Sequence, residues 1–155
     1  MFKDFRHNLP ARGTKPSLTQ EEIQQLFRKG ELLKTAKLCR RMELELSGFQ
    51  GAIEAGARKL FHSKRSGLVL TFIHNEGVAV GIEIFDLLKA MFEAKDFHGF
   101  LKQALRFQKH RGIEHEIDEA IQKLMEKKQI IEAESWKKKF RVLREFSKEK
   151  RNDPT

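Results

Sequence analysis

The hydrophobic positions of this chain recur at helical spacing. Pairs of neighbouring apolar residues mark four segments at intervals of 34, 31 and 33 residues: Leu26-Phe27, Leu60-Phe61, Met91-Phe92 and Leu124-Met125. The positions three and seven residues before each pair are apolar in nearly every copy, as are those eleven residues before the last three pairs. Because offsets of 3, 7 and 11 share one face of an α-helix, the pattern predicts one buried stripe on each of four helices. We expect Leu60, Leu88, Ile117 and Ile121 to lie in the core.

Each apolar pair is followed by a short polar link and then by a second run with helical spacing. The links are residues 28–30, 62–67, 93–96 and 126–128. Gly48, Gly77 and Gly112 precede the next hairpin in each case, where glycine tolerates the left-handed conformation of a helix end. The sequence therefore predicts an all-α fold of about four antiparallel helical hairpins, which bury their apolar faces by stacking on one another.

The long proline-free stretch and one capping motif support this interpretation. Prolines occur only at positions 10, 16 and 154. Nothing between the last two therefore breaks a helix by lacking an N–H donor. Thr19 and Glu22 have the spacing of a capping box at the start of the first helix.

The segment 68–85 admits a second interpretation as a β-hairpin. Val78, Val80, Ile82 and Ile84 alternate with other residues, and β-branched side chains favour strands. Helices remain the main prediction here, because the apolar positions that recur before each pair continue through this segment at helical spacing.

Residues 26–42 resemble a known repeat family. Leu26, Gly30, Leu32, Leu38 and Met42 look like the second half of a pentatricopeptide motif, and the same stretch is similar to the tetratricopeptide pattern. The resemblance covers roughly residues 17–145. It implies a right-handed solenoid of antiparallel helix pairs whose concave face binds a partner.

The two repeat families imply different partners. In pentatricopeptide proteins one residue of each first helix contacts an RNA base, and the resemblance maps that position to Glu21, Ala55, Asp86 and Glu119. The family favours Asn, Ser or Thr there, whereas three of these four residues are carboxylates, which repel a phosphate backbone. Tetratricopeptide arrays bind proteins or peptides, and this makes Glu21, Asp86 and Glu119 candidate partner-binding residues.

Positive charge is concentrated at the two ends of the chain. The net charge is +9: residues 1–16 carry +3, residues 137–151 carry +6, residues 17–136 carry only +1, and Asp153 subtracts one. The predicted organisation is a basic extension over 1–16, a helical-repeat domain over 17–146 and a flexible tail over 147–155. A basic patch is predicted on the last helix: Lys137, Lys138, Lys139, Arg141 and Arg144.

This last helix has several possible roles. Trp136, Phe140 and Leu143 recur at helical spacing and leave the charges on the other face. That is typical of a helix that caps a repeat stack with a polar outer side. The charges also suit nucleic-acid phosphates, an anionic membrane surface or an acidic protein partner.

The chain offers little that points to catalysis or to a bound metal. It has no Gly-rich phosphate loop and no nucleophile elbow, so an enzyme is not expected. His115 and Glu119 share a helical spacing, but no further ligands complete a zinc site, so neither a metal nor a cofactor is predicted. The single cysteine, Cys39, lies in an apolar pattern and is predicted to be a buried thiol.

We therefore expect a non-enzymatic helical-repeat module that holds a protein or peptide in a concave groove. The alternative is binding of RNA or another nucleic acid through the basic ends. With one cysteine, no apolar run long enough to span a bilayer and no signal sequence, a reducing compartment such as the cytoplasm is expected, with organelle import left open.

Overall fold

A computed structural model describes residues 18–152 of the chain, and the side chains of residues 18–147. The predicted basic extension over residues 1–16 lies outside this range. Within it the chain forms eight α-helices, one short 3-10 helix at Leu46–Phe49 and no strand. The helices are α1 (Gln20–Arg28), α2 (Leu32–Arg41), α3 (Gln50–His62), α4 (Ser66–Glu76), α5 (Ile84–Glu93), α6 (Phe97–Arg106), α7 (Glu114–Glu126) and α8 (Ile130–Asn152).

The described chain divides into two compact units, each with its own core. The first unit comprises the residues up to 63 together with 72–82, and the second comprises 64–71 together with the residues from 83 onwards. Helix α4 contributes its first turns to the second unit and its last turn to the first. The predicted helical-repeat domain over 17–146 and flexible tail over 147–155 stay predictions, and α8 extends to Asn152.

In the first unit, α1 packs against α2 and α3. The predicted capping box is present at the start of α1: the Glu22 N–H donates to Thr19 Oγ1 at 3.1 Å, and the Thr19 N–H donates to Glu22 Oε1 at 3.1 Å. Helices α1 and α3 approach so closely that a Cβ atom placed on Gly56 would lie 1.9 Å from the carbonyl oxygen of Phe27. Glycine is therefore required at this crossing.

In the second unit, α6 packs against α5, α7 and α8. Its core contains the most deeply buried side chains of these helices, including Leu87, Leu88, Phe100, Leu101, Ile117 and Phe140. The predicted burial of Leu60, Leu88, Ile117 and Ile121 is confirmed, since each is at most 6% exposed.

The links between paired helices share one backbone geometry. A residue with positive φ lies four positions after the first member of each apolar pair: Gly30, Lys64, Lys95 and Lys128. A second set lies 17 positions after it, at Glu43, Gly77 and Gln108. In three of the four links the backbone N–H of the next residue reaches back five positions, as from Glu31 to the Leu26 carbonyl at 3.2 Å. This is the hydrogen-bond pattern of a Schellman helix end.

Residues 77–83 differ from both sequence predictions. They form neither a β-hairpin nor a continuation of the helices, because α4 ends at Glu76 and α5 begins at Ile84. Gly77 and Gly81 have φ values of +66° and +78°, which turn the chain out of helical geometry. Val80 is nevertheless fully buried.

The positions eleven residues before the apolar pairs were predicted to lie on the helices, and this prediction is wrong. Phe49 and Ile113 are the N-cap residues of α3 and α7, and Val80 precedes α5 by four residues. All three are nevertheless buried. Phe49 packs against Phe27 of α1, with 5.7 Å between the ring centroids.

Candidate functional site

Two grooves lie side by side on the second unit and share the side chain of His98. The first, here called the Trp136 groove, has a volume of about 710 Å³ and is lined by Lys128, Ile130, Ile131, Glu132, Trp136 and Lys139. The second, here called the Gln103 groove, has a volume of about 560 Å³ and is lined by Lys64, Arg65, Leu68, Thr71, Lys102 and Gln103. Helices α4, α6 and α8 supply most of these residues.

His98 is positioned by the start of α6. The Asp96 side chain caps this helix by accepting a hydrogen bond from the Gly99 N–H at 3.1 Å. Phe97 is buried at the first helical position, so the next residue, His98, projects outward into both grooves. Its Nδ1 atom lies 2.7 Å from Glu132 Oε1 of α8. This contact links α6 to α8 in the lining of the Trp136 groove.

Trp136 forms a wall of the groove and is itself 6% exposed. The His98 ring meets it edge-on at 5.7 Å between centroids, and Phe140 packs against it from the next turn of α8. Lys139 Nζ lies 4.7 Å from the centre of the indole. Such a cation–π contact at an exposed site contributes about 0.5–1 kcal/mol. It holds the Lys139 charge at the edge of the groove.

Three aliphatic side chains of the grooves face solvent. Ile131, in the first turn of α8, is 89% exposed, its neighbour Ile130 is 53% exposed, and Leu68 in the Gln103 groove is 44% exposed. Single exposed apolar residues are common on protein surfaces. A cluster of them beside grooves with buried walls is typical of an interaction site.

The walls of the Gln103 groove are held by a small polar network. Gln103 is 5% exposed, and its Nε2 donates to Thr71 Oγ1 at 3.1 Å. Thr71 Oγ1 in turn donates to the Gly67 carbonyl at 2.9 Å. These bonds link the first turns of α4 to α6, so the groove is preformed.

Cations outnumber carboxylates in the two grooves. Lys64, Arg65, Lys102, Lys128 and Lys139 line them, against Asp96 and Glu132. Both carboxylates already have partners, since Asp96 caps α6 and Glu132 contacts His98. The grooves therefore present a positive field to a ligand.

The three acidic residues suggested by the repeat resemblance do not line either groove. Glu21 and Asp86 are exposed in the first turns of α1 and α5, where a carboxylate interacts favourably with the helix dipole. Glu119 is exposed on α7, with 3.9 Å between its Oε2 and His115 Nε2. Their partner-binding role stays a prediction.

The predicted basic patch on α8 is divided by the buried stripe of that helix. Lys137, Lys138, Lys139 and Arg141 are exposed. Arg144 is directed toward α7, where its Nη2 donates to Asp118 Oδ1 at 3.5 Å. Lys139 lies on the other flank and lines the Trp136 groove. Arg144 therefore has an intramolecular partner, and the binding role of the basic patch stays a prediction.

Sequence reasoning did not single out His98, Ile131 or Glu132. The histidine considered for a metal was His115. His98 and Glu132 are 34 positions apart in the chain, and only the packing of α6 on α8 brings them together. The sequence did contain a sign of an exposed apolar residue at Ile130-Ile131, because two adjacent isoleucines do not both fit the narrow apolar stripe of α8.

Within residues 18–152 no group of three or more His, Cys, Asp or Glu side chains is arranged to hold a metal ion. None of the helices in this range combines the length and the apolar character needed to cross a bilayer. Comparisons with models of known protein families, with curated proteins and with solved structures found no match for this chain.

Proposed function

We propose that this chain is a non-enzymatic helical-repeat module of four hairpins that binds a protein or peptide partner in the Trp136 and Gln103 grooves. The repeat is supported by the left-handed link residues that recur at equal offsets from the apolar pairs. The binding site is proposed on the second helices of the hairpins, and not at the acidic positions of the first helices.

The observation that carries the proposal is the exposure of Ile131 beside a preformed groove. An isoleucine that is 89% exposed gains free energy when a partner covers it, about 1.5–3 kcal/mol for full burial of a side chain of this size. Ile130 lines the same groove as Ile131, and Leu68 adds an exposed aliphatic side chain to the Gln103 groove. Interfaces draw most of their affinity from a few such anchors that fill or border pockets.

Binding of single-stranded nucleic acid is the second candidate, supported by the exposed Lys137, Lys138 and Arg141. Nucleic acid without sequence preference is usually bound by exposed aromatic rings on which bases stack. In the grooves the exposed apolar side chains are aliphatic, and Trp136 is buried against His98 and Lys139. The groove chemistry therefore favours a protein ligand.

Two variants separate these functions. Ile131→Ser removes the exposed anchor and leaves the basic side chains in place. A triple variant with Gln at Lys137, Lys138 and Arg141 removes charges outside the grooves and leaves Lys139 in place. We expect protein that co-purifies with the wild type to be lost from Ile131→Ser and retained by the triple variant, with little absorbance at 260 nm in either sample.

The opposite pattern would favour the second candidate. Each phosphate neutralised on a single strand contributes about 0.7 to the slope of log affinity against log salt, so loss of three contacts lowers the slope by about 2. Submicromolar RNA binding at about 0.15 M salt, weakened in this way by the triple variant and untouched by Ile131→Ser, would refute the protein-binding proposal.

A further inference from the structure

We propose that the ligand of the two grooves is an acidic peptide segment in which Asp or Glu residues accompany aliphatic or aromatic ones. This inference rests on the proposed protein-binding function and names the chemical class of the partner. Its basis is the combination, on one unit, of exposed aliphatic anchors with cations that lack carboxylate partners.

The cations of the grooves are available to a ligand. Within the part of the chain that the structure describes, Lys64, Arg65, Lys102 and Lys128 form no ion pair with a carboxylate. Lys139 contacts the indole of Trp136, which leaves its charge uncompensated. A basic segment would meet like charges on both sides of the His98 side chain, which is strongly unfavourable across an interface.

Each apolar anchor is close in sequence to some of these cations. Ile131 is three positions after Lys128 and two turns of α8 before Lys139. Leu68, in the first turn of α4, closely follows Lys64 and Arg65, which precede that helix. A ligand that covers the aliphatic side chains therefore comes within reach of several positive charges. An amphipathic acidic segment satisfies both requirements at once.

A second copy of this chain fits the grooves less well. Its net charge is +9, and the exposed face of its α8 carries the same excess of lysine and arginine. Docking that helix into the grooves would bring like charges together. The charge complementarity points to a different protein.

The chain contains one tryptophan and no tyrosine, so its intrinsic fluorescence reports directly on the Trp136 groove. We would select peptides from a random display library against the intact protein at about 0.15 M salt. Selected peptides would be synthesised with a label and titrated by fluorescence anisotropy, with Trp136 emission as a second readout. We expect the selected peptides to carry net negative charge together with aliphatic or aromatic residues, and to change the Trp136 emission.

Charge-reversal variants locate the binding. Lys102→Glu and Lys139→Glu should each weaken the selected peptides by at least about tenfold, because each places a like charge against the ligand. Lys138→Glu is the matched control: it makes the same charge change at an exposed neighbour of Lys139 that lines neither groove. It should change affinity by less than about twofold. Circular dichroism of each variant establishes that the fold is retained.

The other outcomes overturn the inference in distinguishable ways. Selected peptides that are neutral or basic, and that are lost in Ile131→Ser, would refute the acidic ligand and leave the protein-binding function standing. Equal losses in Lys138→Glu and Lys139→Glu would show that the peptides bind through charge alone and not in the groove. If no peptide is selected, while oligo(rU) or phosphatidylglycerol vesicles shift the Trp136 emission, both the inference and the protein-binding function fail.

Discussion

Because α1 and α3 approach closely, we expect alanine to affect stability differently at two glycines of α3. Gly51 and Gly56 both lie in α3. A Cβ atom on Gly51 would have no neighbour within 4 Å, whereas one on Gly56 would lie 1.9 Å from the Phe27 carbonyl oxygen and 3.2 Å from Leu32 Cδ2. We therefore expect Gly51→Ala and Gly56→Ala to change stability in opposite directions.

The magnitude follows from two competing effects. Alanine is favoured over glycine inside a helix by up to about 1 kcal/mol, because glycine loses more backbone entropy on folding. At Gly51 this is the main effect, so we expect a gain of about 0.5–1 kcal/mol. At Gly56 the helices must separate by about 1.5 Å to restore an ordinary contact of 3.4 Å.

That separation is costly because the atom it displaces is part of the backbone. No side-chain rotation relieves the clash, and the Phe27 carbonyl also accepts the Gly30 N–H at 2.9 Å, a bond that terminates α1. Overpacking of a well-packed core costs about 1–3 kcal/mol, so the net loss for Gly56→Ala is about 1–2 kcal/mol after the helical gain is subtracted.

Thermal and urea unfolding followed by circular dichroism would measure both variants. In a chain of this size 1 kcal/mol corresponds to roughly 2–4 °C in Tm, so a difference of about 1.5–3 kcal/mol between the two variants amounts to about 3–12 °C. An equal gain in stability for both substitutions would refute the close approach of α1 and α3. A loss of stability in Gly51→Ala would instead show that a side chain at the start of α3 is unfavourable, although no atom lies within 4 Å of its Cβ position.

Three further predictions concern buried groups. Leu88→Ala should cost about 2–5 kcal/mol in urea unfolding because it leaves a cavity, while Val142→Ala, at a position that is 57% exposed, should stay within about 0.5 kcal/mol. Arg40→Ala should cost about 1–2 kcal/mol, since Arg40 Nη1 lies 2.6 and 2.7 Å from the two oxygens of the Glu76 side chain, which is only 7% exposed; Arg40→Lys should recover part of this loss. Burial, and to a smaller extent the charge of Glu76, raises the pKa of the Cys39 thiol above its ordinary value of 9.0. The stability that this shift contributes is complete below about pH 9 and is lost as the pH rises through the raised pKa. The stability difference between the wild type and Cys39→Ala should therefore narrow in alkaline solution, and a difference independent of pH would contradict the burial of an uncharged thiol.

Much of the secondary structure was predictable because its determinants are local. The offsets of three and seven residues placed Ile23, Ile53 and Ile117 on buried helical faces, and the capping box marked the start of α1. The links were found because each interrupts an apolar pattern at a fixed distance from the preceding pair. The error came at Phe49, Val80 and Ile113, where burial continues outside the helix and periodicity alone does not distinguish a helical turn from the chain that leads into it.

The sequence by itself predicted the all-α character that residues 18–152 show, the approximate positions of most helices and the excess of positive charge near the C-terminal end. Only the tertiary structure decided which of those charges act together. It directs Arg144 to Asp118 on α7, holds Lys139 over Trp136, and brings His98 to Glu132 across 34 positions of sequence. These contacts depend on how α6 and α8 pack, and helix packing depends on side-chain shape at the crossing rather than on the periodicity of either helix. For the same reason the exposure of Ile131 beside a groove became visible only once the neighbouring helix was in place.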